Sequence, residues 1–133
     1  MNLLRFTGLL CFFTSFSMAQ ELHPLSLKFE GLEPQKGQVM LRVFDEKEAV
    51  IKELVLPVRD LPLAHQIELP AGRYAISCFY DRNQNQKLDR KFTGFPAEPY
   101  AFSNNVRGTF GPPDFADQLF TLNAPLTLSL RLE

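Results

Sequence analysis

Nine residues, Asp81-Arg82-Asn83-Gln84-Asn85-Gln86-Lys87-Leu88-Asp89, place oxygen-bearing side chains at relative positions 1, 3, 5 and 9. A calcium loop uses this spacing to turn alternate side chains, together with the carbonyl at position 7, toward one hard cation. Asp81, Asn83, Asn85 and Asp89 would supply side-chain oxygens, and Lys87 its carbonyl. Two positions depart from that pattern. Gln86 stands where a glycine normally makes the sharp turn, and Phe92 stands where a bidentate Glu normally closes the site. Arg82, Lys87, Arg90 and Lys91 add positive charge nearby. Any calcium binding is therefore expected to be weak, roughly 10⁻⁴–10⁻³ M, with Glu98, Asn104 or Asp114 as possible further ligands. The same residues also suit an Asx-rich turn, in which Asp and Asn side chains bond backbone N–H groups two residues on and hold the loop without metal.

A second constellation follows in Gly94–Pro113, which is rich in turn residues and aromatics. Tyr100, Ser103, Asn104, Asn105 and Arg107 set donors and acceptors among rings, a mixture suited to gripping a polar ligand such as a sugar or a peptide carboxylate. Alternatively, Asn104 and Asn105 satisfy loop backbone, while Arg107 pairs with Asp81, Asp89 or Asp114. A catalytic reading finds little support. His23 precedes Pro24, and His65 opens a short apolar run; neither has an identifiable nucleophile beside it. No nucleophile elbow, zinc helix or phosphate loop is present. A hydrolase built on Ser103 would need a base and an orienting acid from distant positions.

The ends and the composition set the compartment. Arg5, the apolar run 6–16 and the small residues of Ser17-Met18-Ala19 read as an export signal over residues 1–19, too short for a stable membrane anchor. The expected mature chain, residues 20–133, is one domain's worth of sequence, destined for the periplasm or secretion. The full chain carries 14 Lys and Arg against 15 Asp and Glu, so no dominant basic charge suggests nucleic acid. No transmembrane segment remains after the signal. Cys78 is the one cysteine outside the signal and sits in a strand-like run, which predicts a buried, inert thiol.

The elements that must position these groups are strands. Apolar residues alternate with polar ones at Leu25–Phe29, Val39–Val43, Leu54–Val58, Ile67–Leu69, Tyr74–Tyr80, Phe120–Leu122 and Leu126–Leu132. Gly31, Gly37, Pro62, Gly72 and Pro125 punctuate them. About seven short strands predict an all-β, antiparallel, immunoglobulin-like sandwich. Asp45–Val50 and Asp114–Leu119 are read as short helical turns. Residues 82–119 show no clear strand, yet hold six aromatic rings, and are read as an ordered cap over the sandwich.

Leu69-Pro70-Ala71-Gly72-Arg73-Tyr74 resembles the corner common in transthyretin-like and collagen-adhesin B-type sandwiches. A longer resemblance covers nearly the whole expected mature domain. Phe79, Asp81, Asn83, Asn85 and Asp89 are followed by Gly94 and Pro96. Tyr100, Phe102, Ser103, Asn104, Asn105 and Gly108 come next, then Phe110, Gly111, Pro112 and Pro113. This order is similar to that of a bacterial exported family, domain of unknown function 2141, from which Gln86 departs where the family usually has Gly. The resemblance implies export and a β-sandwich, and it implies no activity. The expected role is a binding or accessory module of the cell envelope, with an envelope protein or polar ligand as partner. An envelope-polymer hydrolase and a purely structural protein are the alternatives.

Overall fold

The computed structural model describes residues 17–133, so the n-region and apolar stretch of the expected signal, with Cys11, lie outside the described residues. Eight strands form two sheets: β1 Leu22–Glu30, β2 Gln38–Asp45, β3 Val50–Pro57, β4 Ala64–Pro70, β5 Gly72–Asp81, β6 Tyr100–Phe102, β7 Phe120–Leu122 and β8 Leu126–Arg131. A short helix, α1 Phe115–Gln118, precedes β7.

The first sheet has the order β4-β1-β8, and the second runs β3-β2-β5-β6 with β7 also paired to β5. The period-two pattern explains why they stack. Leu25, Leu27 and Phe29 of β1 face Val39, Leu41 and Val43 of β2 and Tyr74, Ile76, Cys78 and Tyr80 of β5, all in one buried cluster. Burying an aliphatic or aromatic side chain of this size contributes about 1.5–3 kcal/mol, and the cluster supplies the drive for a sandwich. Cys78 belongs to it, and burial pushes its thiol up to about 12, which keeps it protonated and unreactive.

The tyrosine corner forms as its sequence suggests. Tyr74 Oη donates to the Pro70 carbonyl at 2.7 Å, four residues back, while its ring packs at 6.4 Å from that of Phe120. A second buried tyrosine ties the β1–β2 connection down. Tyr80 Oη donates to the Lys36 carbonyl at 2.7 Å and accepts from Glu33 N–H at 3.3 Å.

Three local expectations are corrected. The sandwich is not wholly antiparallel, because β8 runs parallel to β1 from Leu25↔Leu126 to Glu30↔Arg131. The β7–β8 segment reaches β8 from the other sheet, so the crossing sets that direction. Asp45–Val50 is a hairpin turn and not helical: Asp45 Oδ1 accepts from Lys47 N–H at 2.9 Å and Ala49 N–H at 3.0 Å, and Glu48 has φ 65°. Residues 82–119 contain β6, which antiparallel pairing to β5 at Ser77↔Phe102 and Phe79↔Tyr100 makes an eighth strand. The helical turn expected at Asp114–Leu119 is present as α1.

Candidate functional site

The Asp81 loop leaves β5 at a fully buried carboxylate. Asp81 Oδ2 accepts from Gln38 Nε2 at 2.8 Å and from Gln86 N–H at 2.8 Å, and Oδ1 accepts from Asn85 N–H at 3.2 Å. Asn83 Oδ1 accepts from Asn85 N–H at 3.2 Å, and Asn85 Oδ1 accepts from Lys87 N–H at 2.9 Å. The loop is therefore a ladder of Asx turns. Its left-handed residues, Gln84 at φ 58° and Gln86 at φ 62°, make the sharp bends that alternate the side chains. Gln86 thus adopts the backbone shape that a glycine would take at no cost, at a strain of about 1–2 kcal/mol.

The ladder brings four of the sequence-predicted ligand residues together. Asn83 Nδ2 lies 2.7 Å from Asp89 Oδ2, and Asn85 Nδ2 lies 2.9 Å from Asp89 Oδ1. Glu98 closes the loop from behind, accepting from Arg82 N–H at 3.1 Å and Asp89 N–H at 3.2 Å. Asn104 and Asp114, the other two possible extra ligands, make no hydrogen bond to this loop. The described residues include no group of three or more His, Cys, Asp or Glu placed to hold a metal. A cation fits here only once Asn83 and Asn85 turn their amides over, presenting oxygen where nitrogen now meets Asp89. Phe92, at the position of the usual closing Glu, is fully exposed at a turn tip.

The second constellation is a clamp. The outer edge of β5 is shared: β7 pairs with Gly72–Tyr74 and β6 with Ser77–Phe79. Between them the N–H of Ile76 has no strand partner. Ser103 Oγ accepts from it at 2.9 Å and donates to the Gln118 carbonyl, bridging the gap with one buried hydroxyl. Asn104 Nδ2 donates to the Asp117 and Leu119 carbonyls, both at 3.0 Å. Asn105 spans to β8, donating to the Ser129 carbonyl and accepting from Arg131 N–H, both at 2.9 Å. Two successive positive φ values, 62° at Asn104 and 50° at Asn105, let the side chains reach in different directions, and Asn tolerates that region better than most residues. Arg107 does not reach Asp81, Asp89 or Asp114. Its Nη2 donates to the Tyr100 carbonyl at 2.8 Å, its guanidinium lies 4.5 Å from the centre of the Tyr100 ring, and its ion-pair partner is Glu133 at 4.0 Å.

Of the five residues proposed from sequence to touch a ligand, only Tyr100 lines a large concavity. This is a groove of about 980 Å³ on the outer face of the five-stranded sheet. Its floor includes Met40, Arg42, Val55, Ser77, Phe79 and Tyr100, the residues that alternate with the core positions of β2, β3, β5 and β6. Arg42 and Glu53 form an ion pair across β2 and β3 at 2.7 Å. Two arms of the cap wall the groove, one at Gly94-Phe95-Pro96 and one at Gly108–Pro112. Phe95 and Phe110 on those arms stay exposed, Phe110 by 91%. The signal for this site lay in β2, β3 and β5. Met40, Val55 and Phe79 are apolar on the face that a one-sided sheet would give to water, which marks a face covered by something else.

The chain is thus a β-sandwich whose loop arms overhang the outer face of its own five-stranded sheet. The chain belongs to the family described as "Uncharacterized protein conserved in bacteria (DUF2141)", which matches residues 27–128. Comparison with curated proteins gave no match, and comparison with solved structures gave none.

Proposed function

We propose that this chain is a small exported binding module of the bacterial cell envelope, and that it works through the groove on its five-stranded sheet. The observation that carries the reading is the groove itself. Its volume of about 980 Å³ falls in the range of small-molecule sites, and apolar floor residues sit under two walls bearing Phe95 and Phe110. Cationic Arg42 and Arg90 line it with one acid, Glu53, which favours an amphipathic ligand with an apolar body and a negative or polar end. Binding is preferred over hydrolysis because Ser103 is fully buried, with its proton directed to a backbone carbonyl. Both histidines belong to the other sheet, His23 on β1 and His65 on β4.

An anilinonaphthalene sulfonate, which is apolar with one negative charge, is a suitable probe. It is expected to bind residues 20–133 saturably with one site. Ser77→Phe, which fills the groove floor, is expected to abolish that binding at unchanged melting temperature. Absence of binding to the native fold, or full binding by the filled variant, would count against the groove.

Weak calcium binding at Asp81–Asp89 is part of the same proposal, with the ion stiffening the loop that carries the Gly94 arm. The support is that Asn83 and Asn85 both reach the Asp89 carboxylate, on a loop whose first carboxylate, Asp81, bonds the Asn85 N–H. Millimolar calcium is expected to raise the melting temperature by a few degrees where magnesium does not, and Asp89→Ala to remove the effect. A melting temperature indifferent to saturating calcium would leave the Asx ladder as the loop's sole support.

A further inference from the structure

We propose that the two turn tips carrying Phe92 and Phe110 dock this domain on a phospholipid bilayer with anionic headgroups. The inference goes beyond the groove reading and uses the outward ends of the cap, with Phe110 belonging to both the groove wall and its tip.

Phe92 is held out by a tight hairpin. Ala97 N–H donates to the Asp89 carbonyl at 2.7 Å, Lys91 N–H to the Phe95 carbonyl at 2.8 Å, and Gly94 N–H to the Lys91 carbonyl at 2.8 Å. Gly94, with φ 89°, closes the turn. The Phe92 ring at its tip is fully exposed. Phe110 stands on a second tight turn, in which a side chain at Gly108 would overlap the Gly111 carbonyl. Both turns border the same groove, the Phe92 hairpin through Gly94, Phe95 and Pro96 and the second turn through Gly108–Pro112. An aromatic ring left wholly in water at the end of a braced turn contributes nothing to the core, and the hairpin is built in a way that keeps it there. A Phe ring, which has no polar group of its own, suits the boundary between headgroups and acyl chains.

The charge around the tips has the sign a lipid surface selects. Residues 82–111 carry five Lys and Arg against two acids, and two of the five, Arg82 and Arg107, are paired with Glu33 and Glu133, which leaves three. The two acids are spoken for: Glu98 is buried, and Asp89 takes its hydrogen bonds from Asn83 and Asn85. Lys87, Arg90 and Lys91 have no carboxylate partner among the described residues, and Arg90 and Lys91 immediately precede Phe92. The Phe92 ring with unpaired Arg90 and Lys91 just behind it matches the layering of a bilayer interface, acyl chains below and phosphates at the rim, and Phe110 adds a second exposed ring. A protein partner would instead call for a continuous apolar patch with a polar rim.

All eight strands lie within residues 20–133, which is the chain to use. Sedimentation with vesicles of phosphatidylcholine alone is compared with vesicles containing phosphatidylglycerol. Binding is expected to be at least roughly tenfold tighter with phosphatidylglycerol and to weaken with salt. Phe92→Ser together with Phe110→Ser is expected to reduce it by roughly tenfold or more, with the melting temperature unchanged because both rings are already in water. Free inorganic phosphate is expected not to compete. Ser77→Phe is expected to bind vesicles as the native protein does, which separates this surface from the groove. Equal binding to both vesicle types, no binding to either, undiminished binding by the double variant, or loss of binding in Ser77→Phe alone would each overturn the proposal.

Discussion

Asp81→Ala is expected to lower stability by about 3–4 kcal/mol, the largest effect of any single change in the loop. The carboxylate is fully buried and takes hydrogen bonds from Gln38 Nε2, Asn85 N–H and Gln86 N–H. Truncation strands Gln38 Nε2 and Gln86 N–H, while Asn85 N–H keeps its bond to Asn83 Oδ1, and a buried unsatisfied donor costs about 1–3 kcal/mol. Part of that is recovered as the loop opens to water, so the net loss falls below the sum. For a domain of this size the melting temperature should drop by roughly 12–20 °C. Asp81→Asn keeps one acceptor oxygen but sets an amide against donors, and about half the loss is expected. Chemical denaturation with Asp89→Ala as reference checks the ranking. Asp89 makes its side-chain bonds only to the exposed amides of Asn83 and Asn85, so its loss is expected to stay near 1 kcal/mol. Equal losses at the two positions would mean that the buried carboxylate does not anchor the loop.

Ser103→Ala is expected to cost about 2–4 kcal/mol. One hydroxyl serves both Ile76 N–H and the Gln118 carbonyl where β6 and β7 leave β5 unpaired. Removing it opens a hole in the sheet's hydrogen bonding at a fully buried position, and no neighbouring strand can close it. The readout that singles out this role is hydrogen exchange. The Ile76 amide should lose its protection in the variant, while the Cys78 amide two residues along, on the stretch of β5 that pairs with β6, keeps it. A uniform drop across β5 would place the effect in global stability and not in the bridge.

Both residues belong to the motif that made the chain legible, and their roles show what a sequence can and cannot convey. The strands were readable because Leu25, Leu27 and Phe29, or Tyr74, Ile76, Cys78 and Tyr80, alternate cleanly with polar neighbours and have one face to bury. The tyrosine corner was readable because its geometry is local, with Tyr74 reaching back only four residues. β6 was missed because three residues, Tyr100-Ala101-Phe102, carry too little pattern, and only β5 makes them a strand. The parallel pairing of β8 was out of reach for the same reason: alternation gives a face and says nothing of direction. The Asx loop was legible as spacing, but Asn85 can bond backbone or face a cation with the same side chain. Ser103, Asn104, Asn105 and Arg107 looked like a ligand set because polar groups among rings have that appearance. Their partners, Ile76, Gln118, Asp117, Ser129 and Tyr100, are mostly distant in sequence, and only the folded chain brings them together.

The groove was not among the expectations from the sequence, because its sign there is subtler. Met40, Val55 and Phe79 lie on three different strands, each unremarkable alone, and become one apolar surface when the sheet assembles. The cap then roofs that surface from two sides without filling it.

The most direct test of this account is amide chemical-shift mapping of residues 20–133 during titration with an anilinonaphthalene sulfonate. Saturable shifts are predicted at Met40, Arg42, Val55, Ser77, Phe79 and Tyr100 and along the Gly94 and Gly108 arms, with β1, β4 and β8 unmoved. Shifts centred on the β4-β1-β8 sheet, or none at saturating probe, would contradict a binding site on the outer face of the five-stranded sheet.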